Sequence, residues 1–463
     1  MSAFQPYEWE AEKVAPSGLR YRIRLADYIL RGAEQKAEAT MFSYSYVAAD
    51  SAQSDRPVIF AYNGGPGAAS AWLHMGLLGP VLAKMPGYPD VKESPTQFEL
   101  IPNPDFLLDQ CDVVLIDPTG TGWARLLDES SASRHYSTAG DARDFAEFIC
   151  DWLKENGREQ TPVYLLGESY GTIRNVALAD ALPEYVNLQG IIHIGTSLNV
   201  GARTMLFVEP NVRRLGANAA VCWYHHHQSE FSREEFIKQA MEFAYGDYAH
   251  ALLMGNRLDA AEREAVLHRL SYFTGMDRGF LDQKNLRFSE VDFLLRCCPG
   301  AVVSTYDARL LYRPKQNETY SENAMESAGI IEPDMNQDAF MSAAGPVYDN
   351  ALGQYVAAEL CPPKRKTAEN MMDIARLWDY RGYEKDTLTL PVELMKQRSE
   401  LRMMFVNGYY DLQSTFDFVT YYLSQFELPE DRVKQVVLPS GHASYIGEGM
   451  VEKLTEEIRQ FVK

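Results

Sequence analysis

Gly167-Glu168-Ser169-Tyr170-Gly171 is the stretch that decides how this chain is read. It follows a short apolar run, Pro162-Val163-Tyr164-Leu165-Leu166, and leads into a helical pattern from Thr172 to Leu182. Strand, tight turn, helix is the setting that lifts a serine above the end of a sheet. Such a turn strains the backbone of its central residue, and the positions two residues to either side must be small. Glycine stands at both, and the N-terminus of the following helix favours negative charge at the serine. Gly-x-Ser-x-Gly also arises by accident in loops, but here it occurs once, at the right junction. The pattern predicts an exposed nucleophile at Ser169.

Upstream, residues 18–30 and 39–48 alternate as strands do and predict an opening antiparallel pair. Pro57 to Tyr62 is a continuous apolar run, as for a buried strand, and it ends in Asn63-Gly64-Gly65-Pro66-Gly67. Backbone NH groups in that turn are free to face a ligand. Cys111 to Asp117 is the next buried strand, Asp141 to Lys154 carries a helical stripe, and Leu188 to Gly195 is a further strand. Alternating strands and helices argue for α/β architecture, a mostly parallel sheet flanked by helices.

The rhythm changes after about residue 200. Ser232 with Glu235, Asp259 with Glu262 and Ser289 with Asp292 resemble capping boxes, each leading a helical pattern. Residues 200–385 therefore read as a large, mostly helical cap insertion, between core segments 1–199 and 386–463. The sheet resumes at Leu401 to Val406 and again at Val433 to Leu438, and a helix from about Glu448 to Val462 closes the chain.

A serine hydroxyl needs a base to take its proton, and the base needs an orienting acid. In the α/β-hydrolase fold the order is serine, acid, histidine, each beyond the C-terminal end of a strand. Asp411 follows the strand 401–406, and His442 follows the strand 433–438. His74, His135 and His193 come too early, His250 and His268 fall on insertion helices, and Asp417 lies inside a helix. Ser169, Asp411 and His442 are the expected triad. The oxyanion formed on attack needs two donors, one from the Tyr170 NH and one from the Gly64-Gly65 loop.

Composition narrows the class. At 463 residues, 46% hydrophobic and 23% charged, the chain is ample for a large core plus a second module. A net charge of −20 without a basic block argues against a nucleic-acid partner. Met1 to Glu12 has no apolar core, so no signal peptide is expected, and no run approaches the length of a membrane span. The cysteines lack metal spacing and read as reduced, mostly buried thiols, consistent with a cytoplasmic location. A homodimer remains open.

With these pieces in order, the sequence resembles the serine carboxypeptidases, peptidase family S10, in a bacterial-type cytosolic branch. The resemblance rests on Asn63-Gly64-Gly65-Pro66-Gly67, Gly167-Glu168-Ser169-Tyr170-Gly171, Asn407-Gly408 with Asp411, and Gly441-His442. It implies removal of residues from the free C-terminus of a peptide through an acyl-enzyme, with no metal or cofactor. It also implies that Gly65 and Tyr170 form the oxyanion hole and that Asn63 and Glu168 hold the terminal carboxylate. The chain departs from the family at Leu77, where a second glutamate is usual, at Ala61 for tryptophan, at Ala68 for cysteine and at Tyr409 for aspartate. An esterase or acyltransferase on the same scaffold is the alternative.

Three features are set aside. Neighbouring side chains in His225-His226-His227 diverge and read as a polar segment of the cap, not a metal site. Cys297-Cys298 read as inert thiols before Pro299. Asn317-Glu318-Thr319 matches a glycosylation sequon that has no meaning without secretion.

Overall fold

The computed structural model describes residues 4–15, 17–32, 35–49, 55–90, 98–200, 210–227, 231–313, 338–368 and 371–463. The sequon at Asn317 lies outside them. Nine strands form one path: β1 (Glu8–Val14), β2 (Arg20–Arg31), β3 (Ala37–Ala48), β4 (Val58–Tyr62), β5 (Asp112–Asp117), β6 (Val163–Glu168), β7 (Leu188–Ile194), β8 (Arg402–Gly408) and β9 (Val433–Leu438). Their spatial order is β1-β2-β3-β5-β4-β6-β7-β8-β9, and a two-residue strand, Arg125–Leu126, pairs with β3 off this path. β1, β2, β3 and β5 pair antiparallel in turn; from β5 to β9 every pairing is parallel. The expected opening pair is there as β2 and β3, with β1 outside it as an unexpected edge.

β4, β5 and β6 are buried along their whole length, as parallel strands covered on both faces must be. On one face α1 (Thr138–Glu155) lays Phe145, Phe148, Ile149 and Trp152 against Phe60, Val114 and Leu165. Ser137 caps α1 by accepting from the Gly140 NH at 3.1 Å. Beside it runs α2 (Tyr170–Ala181), which begins directly after Ser169.

Between β7 and β8 the three expected helix starts are present. Within that segment run α3 (Leu215–Cys222), α4 (Arg233–Phe243) and α5 (Ala260–Thr274). Ser232 accepts from the Glu235 NH and Asp259 from the Glu262 NH. Only Ser289 and Asp292 close the reciprocal box. Residues from Val212 to Ala308 share one apolar cluster, whereas α6 (Ala339–Glu359) packs Phe340, Val347, Tyr348 and Tyr355 into the core on the other face of the sheet. After it come α7 (Met371–Leu377), α8 (Phe416–Gln425) and α9 (Met450–Val462). Among the described residues no helix is long and apolar enough to cross a membrane.

Candidate active site

The turn between β6 and α2 places Ser169 at φ 58° and ψ −121°, the strained conformation its motif requires. The glycines around it are sterically fixed. A Cβ on Gly167 would lie 2.1 Å from Gly171 O, and one on Gly171 would lie 3.0 Å from Tyr62 O. The Ser169 NH donates to Ile194 O at 2.9 Å, tying the turn to β7.

Asp411 follows β8 and is fully buried. Its Oδ1 accepts from the Gln413 and Ser414 NH groups, each at 2.9 Å, and its Oδ2 lies 2.9 Å from His442 Nδ1. A carboxylate held this way makes Nδ1 the proton-bearing nitrogen and leaves the lone pair on Nε2. The imidazole is also boxed in. Tyr306 O accepts from the His442 NH at 2.7 Å, and the Tyr306 ring meets the imidazole edge-on at 5.4 Å. Gly195, at φ 60°, leaves the room the ring needs: a Cβ there would sit 2.8 Å from His442 Cε1.

Ser169 and His442 open onto one cavity of about 400 Å³, together with Asn63, Gly64, Gly65, Glu168 and Tyr170. Gly64 is pressed against the elbow, where a Cβ would lie 2.4 Å from Tyr170 N; Gly65 takes φ 106°, open to glycine alone without strain. The remaining wall is mostly apolar, with Trp72, Ile173, Phe340, Met341, Met371 and Met372, and no Lys or Arg is among the described lining residues.

Glu168 is buried beside Ser169. Its Oε2 accepts from Asn63 Nδ2 at 2.8 Å and from the Tyr445 hydroxyl at 2.9 Å. Asn63 Oδ1 in turn accepts from the Leu73 NH at 3.0 Å, which fixes the amide's orientation. Burial pushes the Glu168 carboxyl up to about 7, opposed by the nearby His442 and by the bonds from Tyr445 and Asn63. Beneath the loop, fully buried Arg174 donates to Asp141 Oδ2 at 2.6 Å and to Asn63 O at 2.7 Å. The rings of Tyr62, Phe145 and Tyr170 surround its guanidinium.

All seven residues singled out in the sequence thus gather at one place. The rivals are engaged elsewhere: Asp417 Oδ2 accepts from the Ala217 NH, and His74 Nε2 bonds the Tyr46 hydroxyl. Sequence reasoning missed Tyr445, Gly195, Tyr306 and Arg174. Tyr445 stands three residues after His442, and nothing local marks it as the partner of Glu168. Leu77, by contrast, is a core residue with no polar atom to offer Glu168.

Comparison with known proteins identifies the family. The profile described as Peptidase_S10, serine carboxypeptidase, matches residues 24–266. Among solved structures, the chain is similar to Kex1Δp, a prohormone-processing carboxypeptidase of Saccharomyces cerevisiae. Identity is 15% and the TM-score 0.52, over 96% of this chain and 92% of that one. A thermostable carboxyl esterase from Bacillus coagulans is similar at 12% identity and TM-score 0.38, over 95% of this chain and 97% of that one. Homoserine O-acetyltransferase from Staphylococcus aureus follows at 10% and 0.37, over 99% and 96%. Curated protein sequences yield no match.

Proposed function

Given that this chain belongs to the serine carboxypeptidase family and is a serine hydrolase, we propose that it hydrolyses the C-terminal peptide bond of peptides, with Ser169, His442 and Asp411 as its triad. Ser169 Oγ attacks the scissile carbonyl as its proton passes to His442 Nε2, and Asp411 steadies the imidazolium through Nδ1. The NH groups of Gly65 and Tyr170 receive the oxyanion. The C–N bond breaks, the departing amino acid takes the proton from His442, and a water activated by the same imidazole releases the acyl group from Ser169.

The observation that carries the carboxypeptidase reading is the Asn63–Glu168 pair on the cavity wall next to the nucleophile. With no cation among the described lining residues, a terminal carboxylate must be met by neutral donors. The Asn63 amide and a protonated Glu168 are such donors. Matched N-blocked peptides, free-acid and amidated, separate the possibilities by mass spectrometry. Stepwise loss of residues from the free-acid set alone is the expected outcome; equal turnover of both sets overturns it.

One observation favours the second reading, an esterase or acyltransferase. Glu168 is bonded to a phenol, with the apolar Leu77 where the family has a second carboxyl, so the pair is less specialised for a carboxylate. Turnover of neither peptide set, with Ser169 still labelled by a fluorophosphonate and Ser169→Ala unlabelled, would favour it.

A further inference from the structure

The three histidines and the cysteine pair, unrelated in sequence, meet in the insertion. Residues 223–227 extend α3, and their imidazoles do diverge. His225 Nε2 bonds Ala308 O at 2.8 Å, and His227 lies over the Phe236 ring at 5.1 Å. His226 turns instead to the end of the helix Glu290–Arg296, where its Nε2 lies 2.9 Å from Cys297 O and 4.0 Å from Cys298 Sγ. One ligand atom from each of His226, Cys297 and Cys298 falls within 4.8 Å of the others. Cys222 stands one helical turn before His226, with its Sγ 3.5 Å from Tyr272 O.

We propose that His226, Cys297 and Cys298 form a binding site in the insertion for a thiophilic cation, Zn(II) or Cu(I), separate from the peptide cavity. Two sulfurs and an imidazole nitrogen are a soft donor set; Mg(II) and Ca(II) require oxygen ligands that the trio lacks. Bonds of about 2.3 Å to sulfur set neighbouring donors about 3.8 Å apart in a tetrahedron, so the trio needs a contraction of about 1 Å. Side-chain rotation supplies that. Both thiols are buried while His226 is exposed, which gives the ion an entry path at the surface and a dry floor. None of the three lines the cavity that holds Ser169. On binding, each thiol releases its proton to solvent, and the exposed imidazole moves its own from Nε2 to Nδ1. Nε2 then exchanges the Cys297 carbonyl for the cation. Cys222 or a water completes the coordination of Zn(II), whereas Cu(I) is satisfied by three donors.

The test uses the full-length protein, reduced and kept anaerobic, with Co(II) as the spectroscopic probe. One Co(II) per chain with thiolate-to-cobalt charge-transfer absorption is expected, displaced by Zn(II). Competition with a chromophoric Cu(I) chelator ranks the two ions. His226→Ala and Cys298→Ser should each weaken binding at least roughly tenfold, the scale seen even for outer-shell partners. Thermal unfolding checks that both variants are folded; His226→Ala changes an exposed position and carries the test if the serine variant is not. Absence of the charge-transfer band, or a band indifferent to both substitutions, would overturn the proposal.

Discussion

The Glu168 carboxyl governs how the cavity would receive a substrate, and pH is the way to perturb it. A peptide's C-terminal carboxylate, with a pKa of about 3.3–3.7, is ionised throughout the neutral range. Glu168, held up near 7 by burial, is not. Asn63 and Tyr445 both donate to Oε2, so the proton of the neutral acid belongs on Oε1, where it can be donated to the substrate. As pH rises through about 7 that proton is lost and two carboxylates face each other. For a group titrating there, the neutral fraction falls about tenfold between about pH 6 and about pH 8. The quantity to measure is kcat/KM for a free-acid peptide divided by kcat/KM for its amidated twin, at fixed ionic strength. Titration of His442 affects both and cancels. This ratio should drop about tenfold over that interval, following the neutral fraction. In Glu168→Gln it should be flat. Tyr445→Phe removes a bond that favours the ionised form, so the fall should move to higher pH. A flat ratio in the wild type, or the same inflection in Glu168→Gln, would refute the reasoning.

Other perturbations test the supports. Gly195→Ala forces a side chain to φ 60° and into the His442 ring; kcat should fall by roughly 10²-fold, as displaced catalytic groups do, and an unchanged kcat would contradict the packing argument. Arg174→Met strands the buried Asp141 carboxylate and should cost about 3–5 kcal/mol in urea unfolding, with a loss below about 1 kcal/mol arguing against the pair's burial. The wall of Trp72, Phe340, Met341, Met371 and Met372 should favour apolar residues at the cleaved bond, each buried methylene contributing about 0.8 kcal/mol. Competition among peptides ending in Leu, Ser and Lys would show it, and equal rates would discount the wall.

What could be read in advance follows from where the information lies. β4, β5, β6 and β8 are apolar runs closed by turn residues, and β9 ends in the apolar Val436-Val437-Leu438 after Lys434 and Gln435; Ser169, Asp411 and His442 each sit just past such a stretch. Their positions are local facts of the sequence. β1 escaped because Glu8, Glu10 and Glu12 leave that segment without an apolar run. In the fold these residues form the exposed face of an edge strand, where Arg24 bonds Glu8 and Arg20 bonds Glu12. Charge on an edge discourages further strand pairing. α6 carries Pro346 inside it along with Gly345 and Gly353, and packing beneath the sheet overrides that poor propensity. Tyr445, Gly195 and Arg174 act across the fold on residues distant in sequence, and no spacing rule encodes such partners.

The order of the strands has a consequence for synthesis. Ser169 leaves the ribosome just after β6, while Asp411 and His442 follow only after the helical segment between β7 and β8, just past β8 and β9 at the far edge of the sheet. A growing chain therefore displays its serine long before His442 is made. With the proposed triad completed only by these late segments, a chain ending before β8 should show no hydrolase activity, and assay of such a truncated chain checks this.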